Sequence, residues 1–475
     1  MSMSDGREIL IIPEIVGLDA RASIIRIPPD LDAPLTPRVR RIIDSRAFQR
    51  LTRIPQLGFV QLVYPGATHT RFEHSLGVYR LTLLLVKKLA RDPRFAALVR
   101  AQDAETLILA ALLHDVGHFP FCHLLEDLKL PGLISHEEAA EASVLGELSP
   151  LIRHDWGVDP LNVCDVLVKR APLRRPGESN EEYDRRRRVF RLLSSILSGP
   201  IDVDKMDYLM RDSHAAGVPY GRNYDLDRLV GSICLNEQGD GVAITSKGKT
   251  AAELMVFARY VMFSEVYWHH ASRAATVMFQ RAVFSLSRAL GSNRTLIDDL
   301  RTLSNAEVQS RLFELLNTWE LTSQPALRKE IHTLLAGLFG SERRLYKRAR
   351  EFSAMESPRL YAKIAGRSYN EVNQIADLVA YRLGLRPGDA LIDAPPIDKE
   401  VEFKIDVFYQ REGLYRALSD VSPVVRALAL EQFDDYVKRV RLFIDPRAID
   451  RVRELENIDQ LLATVVNEYD HDSRF

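Results

Sequence analysis

Apolar residues recur at helical spacing over most of the chain, and the densest such run is LILAALLHDVGHFPFCHLLE, Leu107 to Glu126. Leu107, Ala110, Ala111, His114 and His118 share one face of the predicted helix, greasy until it reaches two imidazoles one turn apart. Gly117 and Pro120 predict its end, which carries His118, His123 and Glu126 around the rim of one pocket. Upstream, a turn at Pro65-Gly66 leads into a helix from about Thr70, with Arg71 and His74 one turn apart on it. The segment VRRIIDSRAFQRLTRI after Pro37 predicts one amphipathic helix or two short ones. In residues 1–35, EILIIP and IIRIPP are broken by prolines and read as an edge strand and extended loops.

Farther on, Ser135 and Glu138 have capping-box spacing, leaving His136 in the first turn of a helix. A helix from about Asp202 places Asp204, Tyr208 and either Arg211 or Asp212 on one face, with Lys205 flanking, while Met206, Leu209 and Met210 argue that it is buried. Residues 229–247 read as two short strands around a Gly-Asp-Gly turn. One long helix follows to about residue 290, with Arg259, Phe263 and Tyr267 on a single stripe. Helices are expected over 293–350. Beyond Met355, LIDAPPIDKEVEFKIDVF and YVKRVRLFID have strand character, so an α+β lobe closes the chain. The fold class is mainly α: a lead-in over 1–36, a helical catalytic domain over 37–345 with a surface insertion at about 169–188, and a smaller α+β lobe over 346–475.

At 475 residues the chain has ample material for more than one core, and 46% apolar with 27% charged residues is an ordinary globular mix. The formal net charge of -1 excludes a broad electrostatic bias toward nucleic acid. The run Arg185 to Arg188 closely follows Glu181, Glu182 and Asp184 and reads as a solvated helix start rather than a grip on a phosphate backbone. Three cysteines, Cys122, Cys164 and Cys234, fit neither a zinc ribbon nor a disulfide framework and read as buried thiols in a reducing compartment. The opening MSMSDGREILIIPEIVG lacks the features of a secretory signal, and no apolar run reaches membrane-spanning length, so a cytoplasmic protein is expected.

Ten of the 12 histidines lie between His69 and His270, which places the chemistry in the first part of the chain. A lone histidine on an apolar helix is ordinarily a hydrogen-bonded core residue. Here Arg71, His74, His114 and Asp115 all interrupt strongly apolar helices, and burying each separately costs several kcal/mol, which a shared metal would offset. His74, His114, Asp115 and Asp204 form a ligand set suited to iron, manganese or zinc, or to a transition ion assisted by magnesium. Lys205, Arg71 and Arg259 can hold phosphate charge. His118, His123, His136 and Glu126, just beyond the metal, can position substrate or protonate a leaving oxygen. The chemistry is phosphoester hydrolysis.

The motifs HTRFEHSLGV (His69 to Val78), LLHDVGHFPFCH (Leu112 to His123) and DVDKMDYLMRDSHAAGV (Asp202 to Val218) resemble the HD-domain deoxynucleoside triphosphate triphosphohydrolases, in the branch of the SAM-and-HD-domain protein. The likeness runs in order and spacing from about residue 37 to 275, weakens at ERRLYKRA (Glu342 to Ala349), and includes no sterile-alpha-motif domain. It implies an HD helical bundle with metal ligands at His74, His114, Asp115 and Asp204 and catalytic histidines at His118, His123 and His136. Glu126 replaces an aspartate beside the acid histidine. The resemblance further implies phosphate contacts at Arg71, Lys205, Tyr208 and Arg259, and sugar contacts at Gln56, Leu57, Asp212 and Tyr267, with Leu57 and Tyr267 crowding a 2'-hydroxyl.

The implied reaction is attack of metal-activated hydroxide on the α-phosphorus, with one divalent transition metal (Fe, Mn or Zn) in the HD site and Mg on the nucleotide. Deoxynucleoside and tripolyphosphate are released, and the enzyme is a homodimer or homotetramer. Departures fall at Trp268, which replaces a glutamine near the base edge, and at Phe263, which replaces a histidine. At the family's activating site Asp44 is kept but Thr52 replaces an arginine, and the N-terminal signature differs. Other readings of the same residues are an HD phosphohydrolase acting on a nucleoside monophosphate, cyclic nucleotide or alarmone, and a nucleotide sensor or nucleic-acid-binding scaffold without turnover.

Overall fold

The computed structural model describes residues 6–20, 23–29, 31–291, 302–397, 404–428 and 433–472, and it is mainly helical. Four helices frame the site. Helix α1 (Arg71–Leu89) starts where Thr70 and Glu73 form a capping box, and α2 (Ala101–Leu113) starts where Asp103 accepts the Arg100 N–H at 2.9 Å. Helix α3 (His136–Leu145) starts on the Ser135–Glu138 box, and α4 (Val203–Ala216) starts where Asp202 accepts the Lys205 N–H at 2.7 Å. Gly217, left-handed at φ 69°, ends α4. Every side chain from Leu107 to Leu113 is buried, and each leucine among them stabilises the fold by about 1.5–3 kcal/mol. The end of α2 that carries His114 is therefore anchored in a hydrophobic core.

Helix α2 stops sooner than its pattern implies. Leu113 is its last helical residue and His114 to Gly117 form a turn with His114 at the C-cap, so His118 leaves the helix instead of standing one turn above His114. The cause is steric. A Cβ on Gly117 would lie 2.0 Å from the His136 carbonyl oxygen and 2.4 Å from the Ala140 nitrogen, so the turn exists to let the start of α3 pack directly against it.

The segment EILIIP, expected to be extended, is helical instead: Arg7–Leu10 and Pro13–Gly17 bury Ile9, Ile12 and Ile15 at three-residue spacing. Strands β1 (Ile24–Ile27) and β2 (Leu31–Pro34) follow as an antiparallel pair. The expected long helix is two, α5 (Lys249–Met262) and α6 (His270–Leu290), separated by a π-turn over Phe263–Tyr267. Such turns widen a helix locally and re-aim its side chains.

Strands β3 (Ile233–Leu235) and β4 (Val242–Thr245) form the predicted hairpin. Among the residues between them and the C-terminus, Lys347–Ser353 is strand β5 rather than a helix end. It pairs with β9 (Arg439–Ile444), which also pairs with β6 (Ala390–Asp393), giving sheet order β5-β9-β6. Helices Tyr369–Arg382 and Ile458–Asp472 cover that sheet and bury Ile375, Val379, Leu462 and Val466 with it. Strands β7 (Asp406–Tyr409) and β8 (Leu414–Ala417) do not join this sheet: β7 pairs in parallel with β4, and Ile405, Val407 and Leu418 enter the same hydrophobic core as Leu107 to Leu113. Of the alternating run from Leu391 to Phe408, positions 398–403 lie outside the described residues, as do positions 293–301 of the expected helices. No described helix is long and apolar enough to cross a membrane.

Candidate active site

Helices α1, α2 and α4 bring three of the four expected ligands to one point. His74, His114 and Asp204 offer nitrogen or oxygen atoms that all lie within 4.8 Å of one another. His74 Nε2 is 3.0 Å from Asp204 Oδ1 and 3.1 Å from His114 Nε2. The other nitrogen of each ring is committed: His74 Nδ1 donates to Asp207 Oδ2 at 2.8 Å, and His114 Nδ1 donates to the Ala111 carbonyl at 2.9 Å. With both protons on Nδ1, the two Nε2 atoms face each other as acceptors, an arrangement that needs a cation or a shared proton between them. A divalent transition ion fits this donor set.

Asp115, the fourth expected ligand, turns Oδ2 to Arg71 at 2.9 Å, while its Oδ1 is 3.5 Å from His114 Nε2. Burial pushes its carboxyl up, but Arg71, His118 and His114 outweigh that and hold it well below the usual carboxylate range. Burial likewise disfavours the His74 cation, yet hydrogen bonds to Asp204 and Asp207 prevail and push its pKa up to about 10. Asp204 is held down to about 2, its own burial overcome by His74.

Asp207 escaped the sequence reading. It is buried in α4, where Arg211 grips both its oxygens, Nε on Oδ2 and Nη2 on Oδ1, at 2.8 Å each. The pair fixes the tautomer of His74. It also explains Gly77 in the middle of α1, because a Cβ there would meet Asp207 Oδ1 at 1.8 Å. The signal was a carboxylate among the buried Met206 and Leu209. Arg211 is thereby committed to Asp207, and of the two candidates for the site-facing position on α4, Asp212 is the one, accepting from Tyr267 Oη at 2.6 Å and lying 2.8 Å from His69 Nε2.

Beyond the ligand cluster, His118, His123 and His136 converge. His118 Nε2 and His123 Nε2 are 3.3 Å apart, and Glu126 accepts from His136 Nδ1 at 2.9 Å and from the His136 backbone N–H at 2.7 Å. Burial works against the Glu126 carboxylate, but His123 and His136 hold its pKa low; the His136 imidazolium is correspondingly favoured by Glu126 against burial. His118 is driven well below the ordinary histidine range by burial and by the Arg71 charge. The chain reverses between His118 and His123 through Phe121, a non-glycine residue at φ 55° whose ring packs on Phe59 and Phe279 at centroid distances of 5.1 and 4.4 Å.

These groups line a cavity of about 350 Å³ with Arg71, Gln56, Asp204 and Tyr208 on its wall. A second cavity of about 210 Å³ shares Gln56, Arg71 and His123 with it and continues past Leu57 and Tyr267 to Phe119, Ser272 and Thr276. Two expected phosphate contacts stand apart. Lys205 lines neither cavity; its Nζ is bound to Asp202 Oδ2 at 2.5 Å and to the Gly199 carbonyl at 3.0 Å, an i,i+3 pairing at the helix start. Burial, only partly offset by Lys205, raises the Asp202 carboxyl to about 6. Arg259 lies over the Phe263 ring, 5.4 Å from its centroid, and close enough to act electrostatically on Tyr208 and Tyr267. Trp268, expected near a base edge, lines neither cavity and is covered by Arg273 and Arg441 at 4.8 and 6.0 Å. Thr52 turns its hydroxyl to the Gln49 carbonyl at 2.6 Å, and Asp44 caps the C-terminal end of Pro37–Ile43.

Residues 71–169 match the HD domain family and residues 224–463 match the HD associated region. A Methanocaldococcus jannaschii protein is 31% identical over 462 residues, covering 94% of this chain and 84% of that one. A Bacillus subtilis protein is 34% identical over 244 residues, half the length of either chain. The human deoxynucleoside triphosphate triphosphohydrolase SAMHD1 is 26% identical over 442 residues, 86% of this chain and 68% of that one. Among solved structures, a hypothetical protein from Aquifex aeolicus superposes with a TM-score of 0.67 at 25% identity, covering 91% of this chain and 98% of that one.

Proposed function

This chain belongs to the HD-domain family that carries the HD associated region, and on that footing we propose that it is a metal-dependent hydrolase of deoxynucleoside triphosphates, releasing deoxynucleoside and tripolyphosphate. The observation that carries the reading is the shared wall of the two cavities: the ligand cluster lines a polar chamber that has Gln56, Arg71 and His123 in common with an apolar one. The polar chamber suits a triphosphate and the apolar one a nucleoside. The activity in the name of the human relative agrees with it.

His74, His114, Asp204 and Asp115 would hold a divalent transition metal (Fe, Mn or Zn), which would supply Lewis acidity and a water ionising near neutral pH. Arg71, whose Nη1 already neutralises Asp115, extends its cationic edge into the phosphate chamber. Tyr208 lines the same chamber and keeps its hydroxyl protonated, because burial pushes its pKa up beyond the ordinary range; it donates to a phosphate oxygen. Attack at the α-phosphorus breaks the bond to the 5'-oxygen. That oxygen takes a proton from His123, which faces both chambers and is steadied by Glu126 Oε2 at 3.4 Å from its Nδ1. Leu57 and Tyr267, with the Tyr267 hydroxyl fixed on Asp212, line the side of the cavity where a sugar would sit and would crowd a 2'-hydroxyl.

In this reading residues 37–345 carry the chemistry, Mg accompanies the nucleotide, Lys205 and Arg259 turn toward phosphate on binding, and the enzyme works as a homodimer or homotetramer. The test is product analysis with the metal-loaded protein on a panel of deoxy- and ribonucleotides. Tripolyphosphate from the deoxynucleotides, with ribonucleotides cleaved at least about 10-fold more slowly, is expected. Monophosphate and pyrophosphate, or no turnover with or without added nucleotide activators, would overturn it.

A further inference from the structure

The arrangement that makes the His74–His114 cluster a metal site is repeated about its neighbour. His118 Nε2 and His123 Nε2 face each other at 3.3 Å. Behind His118, Nδ1 lies 3.1 Å from Asp115 Oδ1 without forming a hydrogen bond to it. Behind His123, Nδ1 lies 3.4 Å from Glu126 Oε2, and behind His136, Nδ1 lies 2.9 Å from Glu126 Oε1. Each of the three rings therefore has a carboxylate near its Nδ1, hydrogen-bonded in the case of His136, and one ligand atom of each ring lies within 4.8 Å of those of the other two. Carboxylate–histidine pairs of this kind are what orient imidazoles toward a metal. The spacing fits as well: two nitrogens bound at 2.0–2.1 Å to a tetrahedral ion stand about 3.3 Å apart.

We propose that His118, His123 and His136 form a second metal site, distinct from the HD cluster, that takes a tetrahedral divalent ion such as Zn2+ or Co2+. His123 is the open side: its side chain is 60% exposed, whereas those of His118 and His136 are 6% and 23% exposed, so an ion enters from solvent past His123. One consequence rests on the proposed hydrolysis. The ion occupies His123 Nε2, the nitrogen that gives its proton to the leaving oxygen, so filling the second site inhibits turnover while the first stays loaded. The ion and the transferable proton compete for one lone pair.

Metal binding itself tests the site without reference to any substrate. In Asp204→Asn protein, which loses a ligand of the HD cluster, titration with Co2+ should still fill one site per chain and give the intense visible absorption of a tetrahedral cobalt centre. Adding His123→Ala, on an exposed position that leaves the circular dichroism unchanged, should abolish that absorption. Glu126→Gln, which removes the carboxylate behind two rings but no ligand, should weaken binding by about 10–100-fold. No cobalt absorption in Asp204→Asn, or absorption that survives His123→Ala, would overturn the proposal, a proton shared between His118 and His123 then accounting for their approach. A protein that binds this second ion yet cleaves no deoxynucleotide would contradict the proposed function and leave the second site standing.

Discussion

Asp207 Oδ2 lies 2.8 Å from His74 Nδ1, so a buried carboxylate decides which nitrogen of His74 faces His114 and Asp204. Asp207→Asn keeps the shape and removes the charge. Metal affinity at the HD cluster should fall about 10–100-fold, read by calorimetric titration, with near-native circular dichroism. Unchanged affinity would mean that His74 is oriented by something else.

Gly77→Ala should destabilise the protein although it lies inside a helix, where alanine ordinarily gains about 0.5–1 kcal/mol over glycine. The new methyl would displace Asp207 and also meet Arg211 Nη2, 2.4 Å away. Disrupting a buried ion pair costs about 3–5 kcal/mol, so a net loss of about 2 kcal/mol or more is expected in denaturant unfolding. A stabilised Gly77→Ala protein would refute the packing described.

Metal binding should release a proton. His74, its pKa raised to about 10 between Asp204 and Asp207, is protonated near neutrality in the metal-free protein, and an ion must displace that proton. Affinity should therefore rise about tenfold per pH unit between roughly pH 7 and 8.5. Calorimetry in buffers of different ionisation enthalpy should show about one proton released per ion. The sign for metal-free stability is opposite. A histidine with a raised pKa stabilises the fold fully below its unfolded value of about 6.5, and that contribution is lost as pH climbs through about 10. Uptake of a proton on binding would contradict the assignment.

Much of the site was legible because its members interrupt apolar helices: His74 in α1 and His114 at the end of seven buried residues could not be buried cheaply alone. The turn at Pro65-Gly66 and the capping box at Ser135 likewise placed two helix starts in advance. What escaped depends on packing partners distant in sequence. Gly77 and Gly117 are glycines only because Asp207 and the start of α3 press on them, and nothing near them in the chain says so. Asp207 and Lys205 belong to i,i+4 and i,i+3 pairs that look like a surface ladder until burial is known. EILIIP is too short for its period to separate strand from helix, and the π-turn at Phe263–Tyr267 preserves the four-residue stripe that suggested one unbroken helix. The return of β7 to β4 joins residues about 160 positions apart, beyond the reach of any local pattern.

Hydrolysis in water enriched in oxygen-18 tests the central claim most directly, because it reports which bond is made and which is broken. Attack at the α-phosphorus with departure of the 5'-oxygen predicts one labelled oxygen in each tripolyphosphate and none in the deoxynucleoside. Label in the deoxynucleoside, or label in a monophosphate or in pyrophosphate, would contradict it.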